Sequence, residues 1–293
     1  MRLTITTLHL GLGAVLLSVG LMALPHRAGA QSADTPRLMT LGGSVTEIAV
    51  ALGAGDHLVA RDTTSNYPPS VLDLPDVGYV RALSPEGVLS VGPELILSER
   101  GAGPAETIAV LEAAGVEFVT MPDDPTPQGV LEKIDAVAMA LRLPAEGAAL
   151  RDKVASGLEA AQQRAATVRD PKRVLFVLSL QGGRVMAGGE GSSAEGIITL
   201  SGGINAATGF DGFKQMTDEA VIAASPDVIL MMDREGDQAI TADDVLAHPA
   251  LALTPAAKAG RIVRMDGMLL LGFGPRTPDA ASALYQALYP AGG

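Results

Sequence analysis

The sequence predicts an α/β fold of two Rossmann-like lobes joined by one long α-helix. Three observations carry that prediction. Short β-type runs alternate with helical runs along most of the chain, which implies βα units and parallel sheets. Residues 144–169 interrupt the alternation with helix-favouring sequence and no strand pattern. A Glu/Pro pattern also occurs twice: Glu86, Val88, Pro93, Ile96 and Leu97 return as Glu219, Val221, Pro226, Ile229 and Leu230, each 133 residues later. Solenoid units run roughly 20–50 residues, so a single repeat at this distance points to two similar lobes.

The first lobe is expected over 37–143. Its strands read as RLMTL (37–41), HLVAR (57–61), ELILS (94–98) and EFVTM (117–121). Helices lie between them at 44–53, 84–92 and 106–115, and 124–143 is helical as well. Ser44 with Glu47 three residues on is a helix-start pattern, and Gly53 and Gly115 are stops. Residues 144–169 are rich in Ala, Leu, Glu, Gln and Arg, with apolar positions at Leu150, Val154, Leu158 and Ala161. A helix of that length extends roughly 35 Å at 1.5 Å per residue, and it is expected to be a rigid connector. The bland alternative is an amphipathic helix packed within one domain.

The second lobe is expected over 170–293, with strands RVLFVLS (173–179), DVILMM (227–232) and RIVRM (261–265) and a helix at 193–203. The glycine pairs Gly42-Gly43 and Gly188-Gly189 precede helix starts and read as tight strand-to-helix turns. No Gly-Lys-Ser/Thr follows either pair, so neither is a P-loop. Met231 and Met232, ending a strand, read as core.

The N-terminus reads as a signal peptide over 1–30. Arg2 supplies a positive start, 8–24 is an apolar run ended by Pro25, and Ala28-Gly29-Ala30 suits cleavage. A membrane anchor is the competing reading, but the run is shorter than the roughly 20 residues that span a bilayer. The chain has no cysteine, so lipidation at the cleavage point, disulfides and thiolate metal sites are excluded. A soluble, monomeric periplasmic product is expected. Without Arg2 and Arg27, 19 basic side chains face 33 acidic ones, a net charge of −14. That balance argues against nucleic acid and anionic membranes as partners.

Two α/β lobes joined by a helix after a signal peptide resemble the substrate-binding proteins of bacterial ABC importers for iron chelates, haem and cobalamin. These are helical-backbone periplasmic binding proteins. The opening RLMTLGGSVTEIAVALGAGDHLVARDTTSNYPP is similar to that family's first strand, helix, second strand and Tyr-Pro-Pro turn. VGYVRALSPEGVLSVGPELIL (77–97) looks most like its haemin-binding members. The resemblance implies that Tyr79 is an axial ligand to haem iron with Arg81 beside it. It also implies that Glu86 and Glu219, one per lobe, dock arginines of a membrane permease coupled to its ATPase. Some members add a histidine from the loop matching 179–186. Here Gln181, Arg184 and Met186 occupy that loop, and His248 falls in what reads as a late helix start. Tyr79 alone, or with Met186 or water, is then the expected iron ligation, with Gln181 and Arg184 in the ligand cleft.

The chemistry suits that assignment. Ferric iron is a hard acid and phenolate a hard donor. A phenol ordinarily keeps its proton to about pH 10, and iron together with a nearby guanidinium favours its anion. An extended segment would place residues 79 and 81 on one face, letting Arg81 reach the phenolate or a haem propionate. The expected cargo is therefore ferric haem. A ferric siderophore or cobalamin is the alternative within the same fold. An exported α/β enzyme is the alternative from another class, but there is no G-x-S-x-G motif and no cysteine.

Overall fold

The computed structural model describes residues 36–233 and 240–290, with the side chain of Gln181 outside that set. The proposed signal peptide, residues 1–30, also lies outside the described residues. Among the described residues, no helix is long and apolar enough to cross a membrane.

Four short strands form the first sheet: β1 (Leu38–Leu41), β2 (Leu58–Arg61), β3 (Leu95–Ser98) and β4 (Glu117–Thr120). They are parallel, in the order β2-β1-β3-β4. β1 and β3 are buried at every position, as expected of central strands covered on both faces. The covering helices are α1 (Gly43–Ala51), α2 (Pro85–Ser90), α3 (Ala105–Ala113) and α4 (Pro127–Ala140). The N-caps of α2 and α4 are side-chain caps. Ser84 Oγ accepts from Gly87 N at 3.1 Å and Thr126 Oγ1 from Gly129 N at 3.0 Å, each with Pro at the first helical position.

The chain then passes once to the second sheet, through α5 (Pro144–Ala166). α5 buries Gly147, Val154, Leu158 and Ala161, one stripe at helical spacing. The stripe packs on α4 from the first half of the chain and on two helices from the second half, Ser193–Leu200 and Thr277–Leu288. Gly147 and Gly157 allow close approach to Ala138 and Pro278.

The second sheet is mixed, where a parallel one was expected. β5 (Arg173–Ser179), β9 (Val228–Asp233) and β10 (Ile262–Asp266) are parallel neighbours. On the other edge of β5, β6 (Val185–Gly188) runs antiparallel and carries β8 (Phe213–Met216), while the two-residue β7 (Ile204–Asn205) pairs parallel with the start of β5. The cause is the turn after β5. Gly182 and Gly183 have φ of 63° and 70°, values only glycine adopts readily, and they reverse the chain where a crossover helix would otherwise follow. The remaining helices are α6 (Ser193–Leu200), α7 (Asp218–Ala224), α8 (Ala242–Ala247), α9 (Pro255–Lys258), α10 (Gly267–Leu271) and α11 (Thr277–Leu288). Met231 and Met232 are buried in β9, as read from sequence. One apolar cluster runs continuously from Leu38 and Val45 through Ile134 and Leu158 to Phe176, Ile197 and Leu284. It therefore joins the inner faces of both sheets, while separate clusters back the outer faces.

Candidate functional site

Open parallel sheets bind ligands beyond the carboxyl ends of their strands, and here those ends carry a dense polar arrangement. Asp62, directly after β2, is wholly buried. Its carboxylate accepts from the backbone N–H of Gly42 and Thr64, both at 2.9 Å, from Ser65 Oγ at 2.5 Å, and from Thr64 Oγ1. Ser65 in turn bonds Thr46 Oγ1 at 2.6 Å, and Thr46 bonds Thr40 Oγ1 at 2.7 Å. This network locks the turn into α1 and the start of the long loop after β2. Lys133 on α4 is fully buried, and its Nζ donates to Asp123 Oδ1 at 2.8 Å and Ser44 Oγ at 3.1 Å.

Glu99, directly after β3, packs its carboxyl where a Cβ on residue 42 would stand, so the turn requires Gly42, whose φ is 103°. Burial pushes the Glu99 carboxyl up from 4.5 to about 7. Asp123 and Asp62 add to the rise, while Lys133 and Arg81 oppose it. Three strand ends thus converge three acids, and sequence reading missed all of them. The available signal was an acid within three residues of the end of β2, β3 and β4.

Tyr79 and Arg81 sit on the loop that joins β2 to α2. Thr63 N–H donates to Gly78 O and Val77 N–H to Arg61 O, each at 3.0 Å, and Asp76 pairs with Arg61 at 2.9 Å. The extended geometry expected for 79–81 is corrected here. Ala82 N–H donates to Tyr79 O at 2.8 Å, closing a turn. Val80 and Leu83 are the cause: both are buried in the outer apolar cluster and bonded through backbone to Gly103. Pulling them inward leaves Tyr79 48% exposed and Arg81 exposed. Arg81 is close enough to Glu99 to stabilise its anion.

On the second sheet, residues 181–183 form a tight turn at the carboxyl end of β5, with Gly182 and Gly183 in the left-handed region. Arg184 is exposed and donates from Nη1 to Gln215 Oε1 at 3.1 Å. Met186 is half-buried on β6, opposite Ser179. Among the described residues, no hydrogen bond or ion pair joins Tyr79 or Arg81 to this loop. His248 proves structural. Its Nδ1 accepts from the N–H groups of Ala250 (3.2 Å) and Leu251 (3.4 Å), which leaves Nε2–H to donate to Gly183 O at 3.1 Å. The ring braces the loop from behind.

The two carboxyl edges face one another. Ser44 and Glu47, at the start of α1, meet Gly274 and Arg276, which follow β10 and α10. Arg276 binds Glu47 bidentately, Nε to Oε2 at 3.0 Å and Nη2 to Oε1 at 2.5 Å. The guanidinium also lies 3.8 Å from the centre of the Tyr67 ring. Burial raises the Glu47 pKa, and the bond and charge of Arg276 oppose that rise.

Glu86 and Glu219 occupy the same helical position in α2 and α7, two residues after the N-caps Ser84 and Thr217. Both are exposed. Its own backbone N–H and the Thr217 hydroxyl hold the Glu219 carboxyl below its ordinary range.

The model of a family described as periplasmic binding protein matches residues 38–269. Among solved structures, the periplasmic haem-binding protein RhuT from Roseiflexus sp. RS-1, in apo form, is 39% identical with a TM-score of 0.83. The match covers 87% of this chain and 98% of that one. The periplasmic haem-binding protein BhuT, in complex with two haems, is 39% identical with a TM-score of 0.81, over 86% of this chain and 97% of that one. A vitamin B12-binding protein of Yersinia pseudotuberculosis is 31% identical over 225 residues, 74% of this chain and 75% of that protein. With two sheets opposed at their carboxyl edges and a family match running from β1 into α10, the chain belongs to the periplasmic binding protein family.

Proposed function

We propose that this protein binds ferric haem in the periplasm, with Tyr79 as the iron ligand, and delivers it to an ABC importer. The observation that carries the reading is an exposed phenol with a guanidinium two residues away, on a loop anchored at the carboxyl edge of the first sheet. The 39% identity to haem-binding proteins over nearly the whole described chain supports it. Phenolate is a hard anionic donor that suits ferric iron. Arg81 can turn from Glu99 toward the phenolate or a propionate, forming a charge-assisted bond. In this reading Arg184 and Met186 serve the opposite side of the ligand, with Gln181 on the same loop, and Met186 or water completes the iron's coordination. Residues 1–30 direct export, and the mature chain acts as a carrier and not as an enzyme. Glu86 and Glu219 dock the permease, which works with its ATPase.

Titration with haemin tests the reading. The expected result is a shifted Soret band and a high-spin charge-transfer band toward the red, both lost or gravely weakened in Tyr79→Ala. Unchanged spectra in Tyr79→Ala would overturn the ligand assignment. The 31% identity to a vitamin B12-binding protein favours cobalamin as the second reading. Saturable binding of cyanocobalamin with none of haemin would establish it instead.

A further inference from the structure

We propose a second binding site, for an organic anion with an apolar body, at the amino edge of the second sheet. A cavity of about 640 Å³ opens there, within the roughly 300–1,000 Å³ typical of small-molecule sites. It is built from the segment leading into β5, the first residues of β9 and β10, and the last turn of α11. The seven residues of β5, roughly 20 Å of strand, separate it from the carboxyl edge. It is therefore independent of the haem reading.

The charge of the lining selects the ligand. Arg169, Lys172 and Arg261 face the cavity with a single acid, Asp170. Lys172 Nζ is committed to Asp170 at 2.6 Å, and nearby Asp227 accepts from Arg173 N–H at 2.9 Å. The guanidinium groups of Arg169 and Arg261 have no ion-pair or hydrogen-bond partner among the described residues. Two unspent guanidinium groups in one concavity, on a chain of net charge −12, form a local positive focus. Val168, Ile262, Leu288 and Pro290 supply an aliphatic wall beside them. A carboxylate, sulfonate or phosphate head would meet the arginines while its apolar body covers that wall. The wall is held in place beforehand. Tyr289 Oη accepts from Lys172 N–H at 3.1 Å and donates to Gly202 O at 2.7 Å, tying α11 to the entry of β5. Tyr285 lies 5.1 Å from Tyr289, ring centre to ring centre, under the Arg164 guanidinium.

The probe is 2-naphthoate, with neutral 2-naphthamide beside it, titrated by calorimetry and by backbone amide shifts. Naphthoate should bind saturably, shift the amides of Lys172, Gly260 and Arg261, and bind more tightly than the amide. Arg169→Gln with Arg261→Gln should weaken it about tenfold or more, the scale of losing charge-assisted bonds. Tyr79→Ala should leave it unchanged. Equal affinity for naphthoate in the double variant, equal binding of the two probes, or shifts confined to the carboxyl edge would each overturn the site. A lower melting temperature with unaltered naphthoate binding would assign the arginines to the carbonyl ends of α5 and α9 instead.

Discussion

Replacing Glu99 by glutamine should stabilise the protein above neutral pH and do almost nothing below pH 4.5. The carboxyl's pKa rises from 4.5 in the unfolded chain to about 7 in the fold, so the folded state holds this proton more tightly. A group shifted in that sense favours folding fully at low pH. Its contribution falls as pH climbs through the window between 4.5 and 7 and is gone above it. At 1.36 kcal/mol per pH unit, the ionised side chain costs about 3 kcal/mol at pH 8. The attraction of Lys133 and Arg81 is already contained in that shift. Glutamine keeps the shape that fits over Gly42 and cannot ionise. The Glu99→Gln variant should therefore gain about 3 kcal/mol at pH 8, roughly 6–12 °C in Tm for a chain of this size. Thermal melts of both proteins at pH 4.5 and pH 8 provide the test, because titrating groups remote from Glu99 cancel in the difference. A Glu99→Gln variant that melts at or below the parent at pH 8, or gains equally at both pH values, would refute the burial argument.

Other predictions concern the contact between the edges and the proposed transport role. Arg276→Ala strands a buried Glu47 carboxylate and should cost roughly 2–4 kcal/mol at pH 7 in chemical denaturation, more than Arg276→Lys. Because Glu47 can relieve itself by taking up a proton, the penalty of Arg276→Ala should shrink toward pH 4. A constant penalty would show lost packing and not an unpaired charge. With α5 packed on both halves of the chain, small-angle scattering should give nearly equal radii of gyration with and without haemin, and a contraction of several ångströms would contradict a stiff connection. Glu86→Ala with Glu219→Ala should leave haemin affinity and Tm nearly unchanged, since exposed carboxylates contribute little to stability. The same double variant should cut stimulated ATPase activity of the cognate importer, and normal stimulation would refute docking.

The central strands of the first sheet were legible because burial on both faces leaves a mostly apolar signature. LMTL and LILS are buried at every residue, and a short run with three apolar residues in four between turn residues reads most simply as a buried strand. The edge of the second sheet was not legible, for the opposite reason. FKQM forms β8 with three of its four residues exposed, so neither alternation nor an apolar run marks it, and β6 is cut short by glycine. His248 shows a different limit, since its partner Gly183 lies 65 residues away. The Glu47–Arg276 pair spans 229 residues, and no local pattern records it. The role of Tyr79 and Arg81 came only through the resemblance. Their turn geometry depends on Val80 and Leu83 being drawn into a core assembled by β1, β3 and α3.

The spacing of 133 residues carries further in three dimensions than in sequence. Ser84 and Thr217, the caps of α2 and α7, stand at that same offset, as do the first residues of β3 and β9. β3 lies between β1 and β4, and β9 lies between β5 and β10, so the repeated helix and strand hold matching places in both sheets. The residues just before the helix break the correspondence. By the same offset Tyr79 and Arg81 match Gly212 and Lys214, but the second copy is tied into β8 by pairing with β6. In the first copy the backbone of 75–78 is bonded to Arg61 and Thr63, and beyond it residues 79–82 form a turn held by the burial of Val80 and Leu83 and their bonds to Gly103. At the matching position the second copy has Gly212, with no side chain to offer, whereas the pinned turn holds Tyr79 exposed. Matching helix starts therefore suit a shared surface role for both lobes, and the unmatched turn suits a phenol contact that has no counterpart at Gly212.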